Sequence, residues 1–432
     1  MSEVELTNTI VATPDILPDD PAPAKAEMTP QAALELVRAG KPVENAKIRR
    51  LKFRGEFALP VRFRNCTLTQ PEFDAATFAE EVSFVGCTLD KVISTKPTTF
   101  AKGLDLGGCV VNRGQMLRWT VNGKFTAAHA EFRGKVQING CHFLDRVSFW
   151  EAKFVAWADF KDCRFHGEAD FRAVICDHGF VLTNCTFDGD FLFRGGCVDK
   201  KFSADGCRFE RALDLSKAKL HDFVYLEDIA QGKLQTFAFL NAVAERVRVQ
   251  PKQLEGRLAS ELAGKYDEAM QEYGLLKKCF QTLHRFDHED WAFYRFKVCQ
   301  RMAKPKSLAR PWALGRVFAD WLFLDVGCGY GTNPARAVRM ALVIILGFAA
   351  LYGYGIEQFY AEKLPFPDAD KTAPENRLMV GLITSVSVFT SGMGGIREVA
   401  KGWMNVPVMV ESIMGTLLFG LFIVAFSRKV IR

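Results

Sequence analysis

"VQINGCHFLDRVSFWEAKFVAWADFKDCRFHGEADF", Val136–Phe171, is the stretch that decides how this chain folds. Apolar residues recur in it at a spacing of 11: Val136, Val147, Ala158 and Ala169. Two positions after each comes a larger one, Ile138, Phe149, Phe160 and Phe171. A second series, Cys141, Ala152 and Cys163, is followed in the same way by Phe143, Phe154 and Phe165. The small-then-large unit therefore returns after five residues and then after six. Neither the helical period nor strand alternation gives this rhythm. In an extended segment, residues i and i+2 face the same way. Each unit thus reads as one short side of a coil that turns both residues inward, with Asn, Asp and Gly at the corners. Four sides close a coil at about 22 residues, and stacked coils bury a continuous core.

The pattern extends in both directions. Cys141, Cys163, Cys185 and Cys207 lie 22 apart and are expected to share one interior column, with Gly196 interrupting the small-residue series. Cys66, Cys87 and Cys109 form a similar column upstream, accompanied by Leu68, Leu89 and Val111. Between Gly114 and Thr126 the phase blurs, which predicts a bulged loop. The repeat resembles the pentapeptide-repeat family in its Phe-rich form, over residues 46–228. That resemblance implies a right-handed quadrilateral β-helix of about eight coils, on the order of 40 Å long at the usual strand spacing. Some members of the family are acidic rods that mimic DNA. Here acidic and basic residues balance along the repeat, and no nucleic-acid partner is expected.

Flanking features complete the cytosolic part. Thr29, Pro30 and Gly40 carry the start and stop signals of a short helix, so residues 29–45 are read as a cap over the first coil. Residues 1–28 are acidic and Pro-rich, without an apolar signal region, and are read as a disordered tail. The chain of 432 residues has 25% charged residues and a net charge of +6, too mild to argue for a polyanionic partner. Its 12 cysteines include no Cys-x-x-Cys pair. They are read as small buried hydrophobes in a reducing compartment, with no disulfide and no metal site.

Residues 229–336 read as a helical connector. "LASELAGKYDEAMQEYGLLKKCFQTLHRF" (Leu258–Phe286) and "HEDWAFYRFKVCQRMAK" (His288–Lys304) are amphipathic, with a break expected at Asp287–His288. Cys279 and Cys299 fall on their apolar faces. The cluster His284, Asp287, His288, Glu289 and Asp290 is read as one helix end and the next N-cap rather than a metal site. "RVFADWLFLD" (Arg316–Asp325) suits a helix lying at a membrane interface. "FLDVGCGYG" (Phe323–Gly331) resembles the glycine motif of methyltransferases that use S-adenosylmethionine. That motif must end a buried strand and open a helix in a doubly wound sheet, and helical pattern lies upstream instead. Pentapeptide-repeat proteins fused to channels carry a similar GYG-x-x-P turn, which Gly329–Pro334 matches.

Residues 337–432 read as a membrane pore domain. Spans are expected at 337–357 and 406–427, each long and apolar enough to cross about 30 Å of hydrocarbon. Lys304, Lys306, Arg310, Arg316, Arg336 and Arg339 precede the first, and Arg428, Lys429 and Arg432 follow the second. This distribution puts both termini in the cytoplasm of a multi-pass protein of the inner (plasma) membrane. Between the spans, residues 374–390 suit a half-helix that enters the bilayer and stops at "TSGMGG", residues 390–395. Span, half-helix, Thr-x-Gly-x-Gly and span resemble the two-span potassium-channel pore family.

By that resemblance Thr390, Ser391, Gly392, Met393, Gly394 and Gly395 form the ion-conducting filter, whose carbonyls replace an ion's hydration shell. Potassium or another monovalent cation is then the permeant ion, and no cofactor is expected. Glu411 is assigned to support behind the filter, Gly415 and Gly420 to a hinge, and Phe419, Phe422 and Phe426 to a gate. Ser391, Met393 and Gly395 stand where the family has Val, Tyr and Asp, which predicts a less selective filter. The fold class expected is multidomain: pentapeptide-repeat β-helix, helical connector, and an α-helical two-span pore domain that works as a homotetramer in the lipid bilayer. The expected function is a cation channel, not an enzyme, with room for a cytosolic protein partner on the β-helix. The rival reading is a non-conducting, membrane-tethered β-helix scaffold. The methyltransferase is a remote third.

Overall fold

The computed structural model describes residues 25–304, 311–360, 374–391 and 400–431. They fall into two compact units, residues 1–167 and 168–432. Both contain parallel β-solenoid, about ten turns in all, and the second continues into helices.

In the first unit, short strands at Val136–Asn139, His142–Phe143, Val147–Ser148 and Lys153–Phe154 precede the next turn at Ala158–Lys161. Val136 pairs with Ala158 and Ile138 with Phe160, so like positions stack one coil apart. The large positions stack ring on ring: Phe132 and Phe154 are 4.6 Å apart, and Phe143 and Phe165 5.0 Å apart. Cys66, Cys87, Cys109, Cys141 and Cys163 are buried thiols, and the Cys66 amide donates to the Cys87 sulfur at 3.4 Å. Burial pushes the Cys109 thiol up to about 11, as expected of a thiol that fills space. The corners are tight. Arg118, Gly140 and Asp162 repeat at 22 residues with positive φ, as do His129 and Glu151. Corners that demand the left-handed region explain the Gly, Asn and Asp between the sides.

Two expectations fail in this unit. No bulged loop occupies Gly114–Thr126: Gly114–Leu117, Trp119–Val121 and Lys124–Thr126 are regular strands. The register holds, with Gly114 opposite Val136 and Trp119 opposite Thr98. What changes is size. Trp119 takes a small-residue position and Val121 the following large one, so the size order of the pair reverses. The indole Nε1 donates to Ser94 Oγ at 2.8 Å, which satisfies the buried donor. The tail is also shorter than residues 1–28: Ala26–Glu27 form a strand paired with Ala46–Lys47, and residues 1–24 lie outside those described. The helix α1 (Pro30–Arg38) follows, with Thr29 accepting from the Ala32 amide.

In the second unit the strands run past residue 228, to Val243–Arg248. Phe180 and Phe202 stack at 5.7 Å, Phe187 and Phe209 at 4.9 Å, and the Cys185 amide meets the Cys207 sulfur at 3.4 Å. The last strands lose the Cys-and-Phe rhythm, which hides them from a period search. The helices α2 (Pro251–Leu254) and α3 (Ala259–Leu262) follow, then α4 (Tyr266–Thr282) and α5 (Phe286–Ala303). Gly264, at positive φ, splits α3 from α4 inside what the sequence suggested was one helix. The break before α5 falls at Leu283–Arg285, not Asp287–His288, because His284 adopts positive φ. Glu272 on α4 docks these helices onto the last coils: it accepts from the Phe239 amide at 2.6 Å and from the Ser260 hydroxyl. Burial raises its pKa.

After α6 (Pro311–Ala319) the helix widens into a π-helical segment, Asp320–Val326. The glycine motif therefore follows helix rather than the buried strand that the methyltransferase reading requires. Gly329, Tyr330 and Gly331 all have positive φ, a tight turn that ends at Asn333, the N-cap of α7. The remaining helices are α7 (Pro334–Tyr354), α8 (Pro374–Ser391) and α9 (Asn405–Val430).

Candidate functional site

Among the described residues, two stretches are long and apolar enough to cross a membrane: Pro334–Tyr354, which is α7, and Gly402–Val430, which contains α9. Only 28% and 33% of their most apolar windows are buried within the chain. Leu342, Val343 and Leu346 on α7, and Leu417, Ile423 and Val424 on α9, face outward. Such faces suit lipid or further copies of the chain.

The contacts of α8 define its depth between them. A Cβ on Gly353 of α7 would lie 3.0 Å from the Arg377 carbonyl oxygen, and one on Gly381 would lie 2.3 Å from that of Ala349. Four residues on, Ser385 Oγ lies 2.9 Å from the Ile345 carbonyl oxygen and also bonds the Glu411 carboxylate. Further along, a Cβ on Gly415 would meet the Phe389 carbonyl oxygen at 2.3 Å. Thus α8 runs antiparallel to α7 and alongside α9, and Phe389 is level with a point about 15 Å into α9. The helix enters where α7 ends and α9 begins, and stops near the middle of α9 and about two-thirds of the way along α7. Its two flanks meet: Phe359 and Ala400 pair as an antiparallel bridge.

The sequence-assigned residues then fall as follows. Thr390 and Ser391 are the last two residues of α8. They share a pocket of about 280 Å³ with Phe389, Gly415, Thr416 and Phe419. The Thr390 hydroxyl donates back to the Val386 carbonyl at 2.8 Å. Gly392, Met393, Gly394 and Gly395 lie outside the described residues. Glu411 of α9 is fully buried and bonds Ser385 on α8, while its Oε2 and the buried Tyr352 hydroxyl of α7 make no hydrogen bond among the described residues. Gly415 and Gly420 lie within the unbroken helix α9. Gly415 is a close-approach point, whereas nothing lies within 4 Å of a Cβ on Gly420. Phe419 is 65% exposed. Phe422 packs toward α7 and stacks on the exposed Phe426 at 5.8 Å.

The other glycine strings have structural work. Gly353 belongs to the α7–α8 crossing, and Gly329–Gly331 form the turn before α7.

Acids of α5 that the sequence presented as cap residues, together with Asp325, join the connector to α7 and α9. Arg428, near the end of α9, lies 3.0 Å from Asp290 and 3.7 Å from Glu289 on α5. Its guanidinium sits 4.4 Å over the Phe293 ring. Lys429 lies 3.5 Å from Asp287. At the foot of α7, Asp325 holds Arg301 of α5 at 2.6 Å, Arg336 at 3.6 Å and the Tyr294 hydroxyl at 2.8 Å. The acids of α5 are therefore ion-pair partners, not N-caps, because Arg285 occupies the cap position without a side-chain bond. Nothing local in the sequence announces this. The partners of Asp290 and Glu289 come from more than a hundred residues away.

Residues 127–175 match the family model for pentapeptide repeats (9 copies). No curated protein and no solved structure matches the chain. The chain thus joins a pentapeptide-repeat β-helix to helices that include two candidate membrane spans.

Proposed function

We propose that this chain is one subunit of a homotetrameric cation channel in the inner membrane, with a potassium-channel-like pore and both termini cytoplasmic. The observation that carries the reading is the depth of α8. A helix that enters between two apolar spans and ends near the middle of α9 has its last carbonyls short of the far side, and at membrane depth such groups are tolerated only against protein or a water-filled path. Its C-terminal dipole end, at Thr390 and Ser391, favours a cation there. Residues 390–395 then form the filter, Glu411 braces α8 from behind, and α9 lines the inner path with Gly415 or Gly420 as hinge and Phe419, Phe422 and Phe426 as gate. The exposed apolar faces of α7 and α9 are where copies and lipid pack. The repeat domain is a right-handed quadrilateral coil, a reading supported by its four strand segments per turn. It acts as a non-enzymatic regulatory domain in the cytosol. Its movements reach α9 through α5 and the Arg428 ion pairs.

Full-length protein reconstituted in liposomes under opposed potassium and sodium gradients tests this. Cation flux with weak preference for potassium is expected, since Met393 and Gly395 remove the hydrogen bond and the outer charge of the related filter. Absence of flux together with a monomeric state overturns the channel and favours the tethered scaffold.

A further inference from the structure

Eleven of the 12 cysteines are buried, and Cys197 is the exception. The small-residue position beside it is filled by Gly196, so Cys197 is displaced from the interior series to the outer face. Val198 and Leu220 point inward and pair across successive coils, and Cys197 pairs with Lys219. Alternation then sends Cys197, Asp199 and His221 outward. One thiol, one carboxylate and one imidazole meet there, with donor atoms all within 4.8 Å of one another. The Cys197 sulfur already lies 3.9 Å from Asp199 Oδ1. Tetrahedral zinc, with bonds of about 2.0–2.3 Å, needs donors about 3.3–3.8 Å apart. Side-chain rotation of about 1 Å closes the remaining gap, and exposed side chains make such moves freely. Asp177, one coil earlier, adds negative charge beside Cys197. Lys219 flanks Cys197 on the same outer face and is exposed, with room to turn its ammonium away.

We propose that Cys197, Asp199 and His221 bind a divalent transition metal of the zinc class, with water as the fourth ligand. Mixed sulfur, nitrogen and oxygen donors select such an ion over calcium or magnesium. Because Cys197 and Asp199 belong to one coil and His221 to the next, the ion staples two coils of the second unit. The site is independent of the pore reading and survives its failure.

The test uses the full-length protein in detergent and cobalt(II) as the probe. One cobalt per chain is expected, with a thiolate-to-cobalt charge-transfer band that is lost in Cys197→Ser. His221→Ala and Asp199→Asn are expected to weaken binding by about tenfold or more. Zinc is expected to slow maleimide alkylation of Cys197 in the native protein by a similar factor. Circular dichroism confirms that each variant keeps its solenoid. A band that persists in Cys197→Ser, no band at all, or an alkylation rate indifferent to zinc overturns the proposal.

Discussion

Gly415 and Gly420 share one helix, but their surroundings differ. A methyl on Gly415 collides with the Phe389 carbonyl, whereas one on Gly420 meets open space. Gly415→Ala must therefore push α8 from α9 and is expected to lower stability by about 1–3 kcal/mol. Gly420→Ala is expected to be neutral or stabilising by up to about 1 kcal/mol, through helix propensity. Thermal melting in detergent separates the two, and equal effects would contradict the close-approach role of Gly415. The same contrast shows what a residue name conceals. Both glycines suit a hinge by position, and only the neighbour's carbonyl distinguishes them. Trp119 teaches the converse. It breaks the size order of its coil yet keeps the strand, and its buried indole N–H is satisfied by Ser94 Oγ.

Among the elements, α4 and α5 carry the most testable electrostatics. Arg428→Gln leaves Glu289 and Asp290 without their guanidinium and is expected to cost about 3 kcal/mol. A double-mutant cycle with Asp290→Asn should return a coupling energy of about 1 kcal/mol or more, and simple additivity would dismiss the link between α5 and α9. Glu272 gives a pH signature. Burial raises its folded-state pKa above the ordinary 4.5. Its stabilising contribution is thus complete below the unfolded value and is lost as pH rises through the raised one. Glu272→Gln cannot titrate, so its stability relative to the wild-type protein should climb as pH rises from about 4 to about 8. Denaturation midpoints across that range measure it, and a flat difference would exclude a raised pKa.

At the level of the whole molecule, the proposed channel requires several copies, because α7, α8 and α9 of one chain cannot enclose a path for an ion, whereas four copies can. Native mass measurement or cross-linking in membranes should therefore find a tetramer. Introducing a charge into the outward face of α9, as in Leu417→Glu, should break assembly or insertion while the solenoid keeps its circular dichroism. A fully assembled, inserted Leu417→Glu protein would show that this face meets neither lipid nor another copy.

Much of this protein is legible along its chain because its β-solenoid is quasi-periodic. Each coil contacts mainly its neighbours, so a spacing of 11 in Val136–Phe171 already names the inward positions, the corners and the buried cysteines. The two candidate spans are legible too, since length and hydropathy are local properties. Three-dimensional structure was needed wherever partners are distant. The Trp119 hydrogen bond to Ser94, the strands after residue 228, the acids of α5 against Arg428, and the contacts of α8 with α7 and α9 depend on partners that no window of sequence contains. Cys197, Asp199 and His221 belong with these, for only the winding of successive coils brings Cys197 and Asp199 beside His221.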